Sequence, residues 1–163
     1  MQSQGGGLAS LTDRQVFAQW NEVKIDLDAR PHPDFYFYER EVWWAALGKN
    51  IGHEIDGKNA NFERPALIVK KYSRYTCLVL PLTTVIKPEN KFQSVFNLHQ
   101  RPNAALLDQS QTISSKRLSR RFGKIDVDLF QKIVLSYSSL IKIDNPALGG
   151  VAELPANRTN LLK

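Results

Sequence analysis

The chain carries two apolar stretches that decide its fold: Arg64-Pro65-Ala66-Leu67-Ile68-Val69 and Thr76-Cys77-Leu78-Val79-Leu80-Pro81-Leu82-Thr83. Both are rich in the aliphatic and β-branched residues that favour strands. The segment between them, residues 70–75, is short and polar. The two stretches are therefore predicted to pair as an antiparallel hairpin.

Helical and strand patterns flank this hairpin on both sides. Thr12-Asp13-Arg14-Gln15 forms a capping box that predicts a helix from about 12 to 29. A first strand is predicted over 42–47 and is followed by a long polar loop, and a second helix is predicted to begin at Asp126. This pattern favours a small, barrel-like antiparallel sheet with attached helices. Weaker strands are predicted over 92–98, 104–107 and 121–125.

Composition limits the classes of function that need to be considered. The 163 residues suit one domain with a real core, and the formal net charge of +6 favours polyanions such as nucleic acid. Cys77 is the single cysteine, so no intramolecular disulfide forms, and its apolar neighbours indicate a buried core thiol. No apolar stretch is long enough for a membrane span, and no signal peptide is evident, so a cytoplasmic protein without a membrane partner is expected.

Several common catalytic sites are missing from the sequence. The three histidines His32, His53 and His99 are far apart and lack the spacing of zinc ligands. Neither a glycine-rich phosphate loop nor a Gly-x-Ser-x-Gly elbow occurs. No metal and no cofactor are therefore expected.

Arg64, Thr83 and a basic segment over 116–124 remain as polar features that suit RNA chemistry. If the hairpin forms, Arg64 and Thr83 lie near the same end of the sheet. Cleavage of RNA through its own 2′-hydroxyl needs a proton acceptor, a cation for the phosphorane and a donor for the leaving oxygen. From residue types alone, an arginine placed like Arg64 more often serves in a surface ion pair, and Thr83 and Thr84 are ordinarily strand-end or turn residues. The basic segment could be a solvated face.

Several short motifs also follow one another in a fixed order. They are Glu41-Val42-Trp43-Trp44, Gly52-His53-Glu54, Gly57, Arg64-Pro65 with its strand, Val79-Leu80-Pro81-Leu82-Thr83, Leu106-Leu107-Asp108-Gln109, Thr112, Arg117-Leu118 and Gly123. The ordered set resembles the MazF/PemK family of bacterial toxins over residues 39 to 142. The resemblance implies an SH3-like antiparallel β-barrel of the α+β class with a C-terminal helix, to which this chain adds an N-terminal helix.

The resemblance also implies a site and a reaction. Members of the family are endoribonucleases that cut single-stranded RNA without a metal, leaving a cyclic phosphate and a 5′-hydroxyl. By position, Arg64 and Thr83 match the catalytic pair. His53, Glu54 and Gln109 fall in segments that line the family's RNA groove. The full predicted RNA-binding set is His53, Glu54, Lys58, Thr84, Gln109, Arg117 and Arg120.

This chain departs from the family pattern at three places. The loop before Arg64 is longer than in short members, His53 stands where serine is frequent, and Gln111 stands where arginine is frequent. These differences bear on sequence preference more than on catalysis. The added N-terminal helix is expected to pack on the barrel or on the dimer.

Partners and domain limits follow from the same resemblance. A cognate antitoxin and a homodimer are implied, together with the single-stranded RNA substrate. The predicted division is a flexible N-terminus over 1–10, a helix and linker over 11–38, the toxin barrel over 39–145 and a loose tail over 146–163.

Two other functions remain open at this point. One is a gyrase-poisoning toxin on the same fold, resembling CcdB, which needs no catalytic arginine. The other is a noncatalytic RNA-binding barrel, which predicts salt-dependent RNA binding without products.

Overall fold

The computed structural model describes residues 12–141, and the segments 1–10 and 146–163 that were predicted to be flexible and loose lie outside this range. All strand pairs are antiparallel. Two short 3-10 turns, Leu107–Gln109 and Ser115–Arg117, flank the sixth strand. The main elements are α1 Asp13–Ala29, β1 Glu41–Ala46, β2 Glu63–Lys71, β3 Thr76–Thr83, β4 Gln93–Leu98, β5 Arg101–Leu106, β6 Gln111–Ser114, β7 Leu118–Lys124 and α2 Val127–Leu140.

The predicted hairpin forms the centre of the sheet. Strands β2 and β3 pair with Ala66 opposite Pro81 and Leu67 opposite Leu80. The strand order is β4-β5-β3-β2-β1-β7, and β6 pairs separately with β3. The α+β class, the antiparallel sheet and the two helices are confirmed. Strand β6 was missed, because it is only four residues long and buries a single apolar residue, Ile113.

The sheet curls without closing into a barrel through strand pairing. Within residues 12–141, no backbone ladder joins β4 to β7, the two ends of the strand order. A side chain spans this gap: His99 Nε2 lies 2.8 Å from the carbonyl oxygen of Phe122, and the two rings are 5.0 Å apart. The barrel expected from the sequence is therefore a curled open sheet whose ends meet through His99.

Apolar residues pack on both faces of the central strands, because alternate side chains of a strand point to opposite faces. On one face, Leu67 and Leu80 pack with Phe96 of β4 and Ile133 of α2. On the other face, Ile68 and Cys77 pack with Phe37, Trp43 and further residues of β1, β3 and β6. Burial raises the pKa of the Cys77 thiol to about 12, which confirms a core thiol. No helix within residues 12–141 is long and apolar enough to span a bilayer.

Helix α1 begins with the predicted capping box, in which the Thr12 hydroxyl accepts from the Gln15 N–H. Its one buried side chain, Trp20, packs against the ring of Phe62 at 5.5 Å. Gly48 allows this approach, because a Cβ atom there would lie 2.3 Å from the Trp20 ring. The helix thus rests on the loop between β1 and β2.

Replacing Gly48 by alanine should lower the free energy of unfolding by about 3 kcal/mol. The left-handed backbone (φ +99°) costs a side chain about 1–2 kcal/mol, and the added methyl would overlap Trp20. Gly52→Ala is the matched control, because Gly52 also has a positive φ (+60°) but no atom near its Cβ position. Urea unfolding followed by tryptophan fluorescence measures both variants. Equal losses would contradict the packing of α1 through Gly48.

Candidate active site

Arg64 and Thr83 lie across from each other at one end of the central hairpin. In this hairpin Ala66 pairs with Pro81 and Leu67 pairs with Leu80. Continuing the register by two residues places Arg64 opposite Thr83. Alternation along the strands puts both side chains on the same face as Ile68 and Val79. Both residues line one groove, so the structure brings together the two residues predicted to be catalytic.

The Arg64 guanidinium is buried and held by two carbonyl oxygens. Its Nε donates to the carbonyl of Asp56 at 2.8 Å, and its Nη1 donates to the carbonyl of Leu82 at 3.2 Å. Burial lowers the pKa of Arg64, and the Asp56 charge opposes that shift. Arginine nevertheless stays protonated at neutral pH. The Nη2 group donates to no residue within 12–141 and is available to an anion in the groove.

Thr83 ends β3, and its hydroxyl orders the turn that follows. The Thr83 Oγ1 accepts the backbone N–H of Val85 at 3.1 Å. Because this bond uses a lone pair of the oxygen, the hydroxyl proton stays available for donation to a substrate oxygen. Thr83 is half-buried and lines the same groove as Arg64.

The loop between β1 and β2 forms one wall of the groove. The Asp56 carboxylate accepts the Asn50 N–H at 2.6 Å and binds Lys49 Nζ at 2.8 Å. From the 3-10 turn Leu107–Gln109, the Gln109 Oε1 accepts the Ile55 N–H at 2.9 Å. The loop that carries His53 is therefore fixed by hydrogen bonds at several points.

The loop between β3 and β4 forms the opposite wall. The Gln93 side chain holds this loop through two hydrogen bonds. Its Oε1 accepts the Lys87 N–H at 2.9 Å, and its Nε2 donates to the Val85 carbonyl at 3.2 Å. Lys87 and Asn90 of this loop face the groove. No sequence motif marked this loop as part of the site.

The resulting groove has a volume of about 340 Å³ and is open to solvent. Arg64 lies at its base, Lys58 and Lys87 lie on its two walls, and Asp108 is the carboxylate that lines it. Three cations against one carboxylate favour a phosphodiester ligand. The forked donors of Arg64 suit two oxygens of one phosphate.

Five of the nine predicted site residues line this groove: Arg64, Thr83, His53, Lys58 and Gln109. Gln109 also has a structural task, since its amide oxygen holds the loop at Ile55. The other four, Glu54, Thr84, Arg117 and Arg120, do not line it. Glu54 lines an adjoining recess next to Gln109, and Thr84 is exposed beyond the rim.

Arg117 and Arg120 lie outside the groove for a physical reason. Arg120 binds the buried carboxylate of Glu63 at 3.0 Å and lies 4.6 Å from the Trp44 ring centre. Arg117 donates to the Ala46 carbonyl at 2.9 Å beneath α1, where burial lowers its pKa. A buried carboxylate or carbonyl needs a partner, and these side chains supply one. These contacts keep both arginines out of the groove, and the RNA-binding role predicted for them stays a prediction.

No group of three or more His, Cys, Asp or Glu side chains within residues 12–141 is arranged as a possible metal site. His32 and His99 both have partners away from the groove, the Ser115 hydroxyl and the Phe122 carbonyl. His53 is the histidine that faces the groove.

A family model for PemK-like, MazF-like toxins of type II toxin–antitoxin systems matches residues 38–136. This match covers more than half of the chain, so the chain belongs to that family. No curated protein sequence matches the chain. Helix α1 lies outside the matched segment.

Solved structures share this fold. MazF (Form-I) from Deinococcus radiodurans is 18% identical, with 66% of this chain and 97% of that chain covered and a TM-score of 0.51. An endoribonuclease from Mycobacterial species is 15% identical, with 70% and 100% covered and a TM-score of 0.50. An endoribonuclease in complex with its cognate antitoxin, also from Mycobacterial species, is 15% identical, with 64% and 93% covered and a TM-score of 0.49.

Removing the Asp56 carboxylate should loosen the loop that supports Arg64. In Asp56→Ala the Asn50 N–H loses its acceptor, so its hydrogen exchange should accelerate and the free energy of unfolding should fall by about 1–3 kcal/mol. Asp56→Asn keeps an oxygen acceptor and is the control, with a smaller loss from the missing charge at Lys49. If both variants exchange at the wild-type rate, the carboxylate does not organise this loop.

Proposed function

We propose that this chain is an endoribonuclease toxin that cuts single-stranded RNA in the groove between the two loops. The observation that carries the proposal is the pairing of buried Arg64 with the Thr83 hydroxyl at the base of a cationic groove. Membership of the toxin family and the endoribonuclease activity of a structural relative support it. The proposed products are a cyclic phosphate and a 5′-hydroxyl, and no metal takes part.

The proposed reaction uses the RNA's own 2′-hydroxyl as nucleophile. The bond from the 2′-oxygen to phosphorus forms as the 2′-hydroxyl gives up its proton. The bond from phosphorus to the 5′-oxygen breaks, and the 5′-oxygen takes up a proton. Negative charge grows on the phosphoryl oxygens in the transition state, and the fixed cation of Arg64 stabilises it. Because two carbonyls hold Arg64 in advance, little reorganisation is needed at that moment.

Thr83 and His53 are the groups placed to handle protons. The Thr83 hydroxyl is free to donate toward a phosphoryl or leaving oxygen, because its lone pair already accepts from Val85. His53 lies on the loop wall, and imidazole is the side chain best suited to exchange protons near neutral pH. Lys58 and Lys87 bind the flanking phosphates without reading sequence.

The proposal includes the protein partners. A cognate antitoxin would lay an acidic segment along this groove, where Arg64, Lys58 and Lys87 attract it and fold it on binding. The working unit is proposed to be a homodimer, as the family resemblance implies. Since its substrate is RNA, the proposed site of action is the bacterial cytoplasm.

Cleavage of a long single-stranded RNA in excess EDTA tests this function. Wild type should cut at a short recurring motif, and Arg64→Ala should be slower by about 10²–10³-fold through loss of the transition-state cation. Thr83→Val should be slower by about 10²-fold, whereas Thr83→Ser, which keeps the hydroxyl, should retain most of the activity. Arg101→Ala removes an exposed arginine outside the groove and serves as the control. Circular dichroism and melting temperature verify that each variant is folded.

Two results would contradict the proposal in different ways. Salt-dependent RNA binding by wild type without products would favour a noncatalytic RNA-binding protein. Inhibition of supercoiling with RNA left intact would favour a gyrase poison instead. Cleavage by folded Arg64→Ala at the wild-type rate would leave an enzyme but remove its proposed site.

A further inference from the structure

Helix α1 forms the wall of a second cavity on the side of the protein that carries the groove. The helix precedes the family-matched segment and is held in place by buried Trp20. The cavity has a volume of about 450 Å³ and lies between α1 and the loop after β1. Four of its lining residues, Phe17, Trp20, Asn21 and Lys24, come from α1.

This α1 cavity is linked to the active groove by a recess that shares lining residues with both. A recess of about 390 Å³ lies between them and shares Asn50, Glu54 and Gln111 with the α1 cavity. The same recess shares Asp108 and Gln109 with the groove that contains Arg64. The recess therefore lies between the groove and α1, on the side where a strand leaving the groove could reach the helix.

The lining of the α1 cavity suits a nucleotide. Lys24, Lys49 and Arg117 contribute three cations. The Phe17 ring is 40% exposed, and Lys49 Nζ lies 5.7 Å from its centre. An aromatic face accepts any stacked base, and neighbouring cations hold the phosphates of a single strand. The side-chain amides of Asn21 and Gln111 add donors and acceptors for base edges.

Two of the three cations already have partners inside the protein. Lys49 pairs with Asp56, and Arg117 donates to the Ala46 carbonyl and lies 5.3 Å from the Trp20 ring centre. Glu54 is the carboxylate that lines the cavity. Lys24, which is exposed and has no salt-bridge partner within residues 12–141, is therefore the cation best placed to bind a phosphate.

We propose that the α1 cavity is an additional RNA-binding subsite, which holds a nucleotide of the substrate on one side of the scissile phosphate. A base stacks on Phe17, and Lys24 binds its phosphate. This inference rests on the proposed function, because it assigns the RNA segment that runs outward from Arg64. A subsite on a helix anchored by Trp20 is rigid, which favours accurate positioning of the strand.

The test compares binding of a short and a long strand. The probes are 2′-O-methyl RNAs of 6 and 16 nucleotides with the same central sequence, which cannot be cut through a 2′-hydroxyl. The variant is Phe17→Ala/Lys24→Ala. The matched control is Arg14→Ala/Ile25→Ala, which removes an exposed cation and an exposed apolar side chain of α1 that do not line the cavity. Fluorescence anisotropy at several salt concentrations gives Kd and its salt dependence.

The subsite predicts a loss that depends on strand length. The Phe17/Lys24 variant should bind the 16-nucleotide strand at least about fivefold more weakly than wild type, since stacking of one base is lost. The slope of the logarithm of its binding constant against the logarithm of the salt concentration should fall in magnitude by about 0.7, the contribution of one single-strand phosphate contact. Binding of the 6-nucleotide strand and all binding by the control variant should stay at the wild-type level.

Two results would overturn the subsite. They are an unchanged Kd for the 16-nucleotide strand in the Phe17/Lys24 variant, and an equal loss for both strand lengths. Neither depends on cleavage, which is measured separately on unmodified RNA. A protein that cuts RNA but shows no length-dependent loss keeps the proposed function and loses the subsite. A protein that does not cut RNA but shows the loss keeps the subsite and loses the catalytic proposal.

Discussion

The burial of the Arg64 guanidinium is the constraint on which the groove depends. A buried cation must be hydrogen-bonded, and the partners here are the carbonyls of Asp56 and Leu82. One belongs to the loop after β1 and the other to β3, so a single side chain ties the groove wall to the central hairpin. The Asp56 carboxylate and the Gln109 amide then fix the rest of that loop.

Charge on this protein is distributed differently from what the basic composition suggests. Glu41 and Glu63 are almost completely buried, and Arg121 and Arg120 bind them at 3.1 and 3.0 Å. These arginines pair with carboxylates on the sheet and do not line the groove. The cations that face the groove are Arg64 and lysines of the two loops. The net charge of +6 therefore did not indicate where an anion would bind.

Local patterns in the sequence predicted the parts of the fold that rest on local interactions. The hairpin of β2 and β3 follows from two apolar stretches around a short polar segment, and both helices begin at the predicted caps, Thr12 and Asp126. Strand β6 and the open edge between β4 and β7 depend on pairing between distant segments, which no local pattern encodes.

The candidate site was predictable to a similar degree. The register of one hairpin places Arg64 near Thr83, so the sequence could bring these two together. The bond from Ile55 to Gln109 joins residues 54 positions apart, and the contacts of Gln93 with its loop belong to no recognisable motif. Arg117 and Arg120 were assigned to RNA because their contacts with Trp20 and Glu63 are a tertiary property.

In the proposed reaction, RNA bound in this groove is cut through its own 2′-hydroxyl. Replacing the single nucleotide on the 5′ side of the cut by its 2′-deoxy counterpart, in an otherwise unchanged RNA, tests it most directly. This one strand should stay intact at that position, while the all-ribose strand should yield a cyclic phosphate and a 5′-hydroxyl. Continued cutting at the deoxy position would contradict it, because the nucleophile would then come from elsewhere.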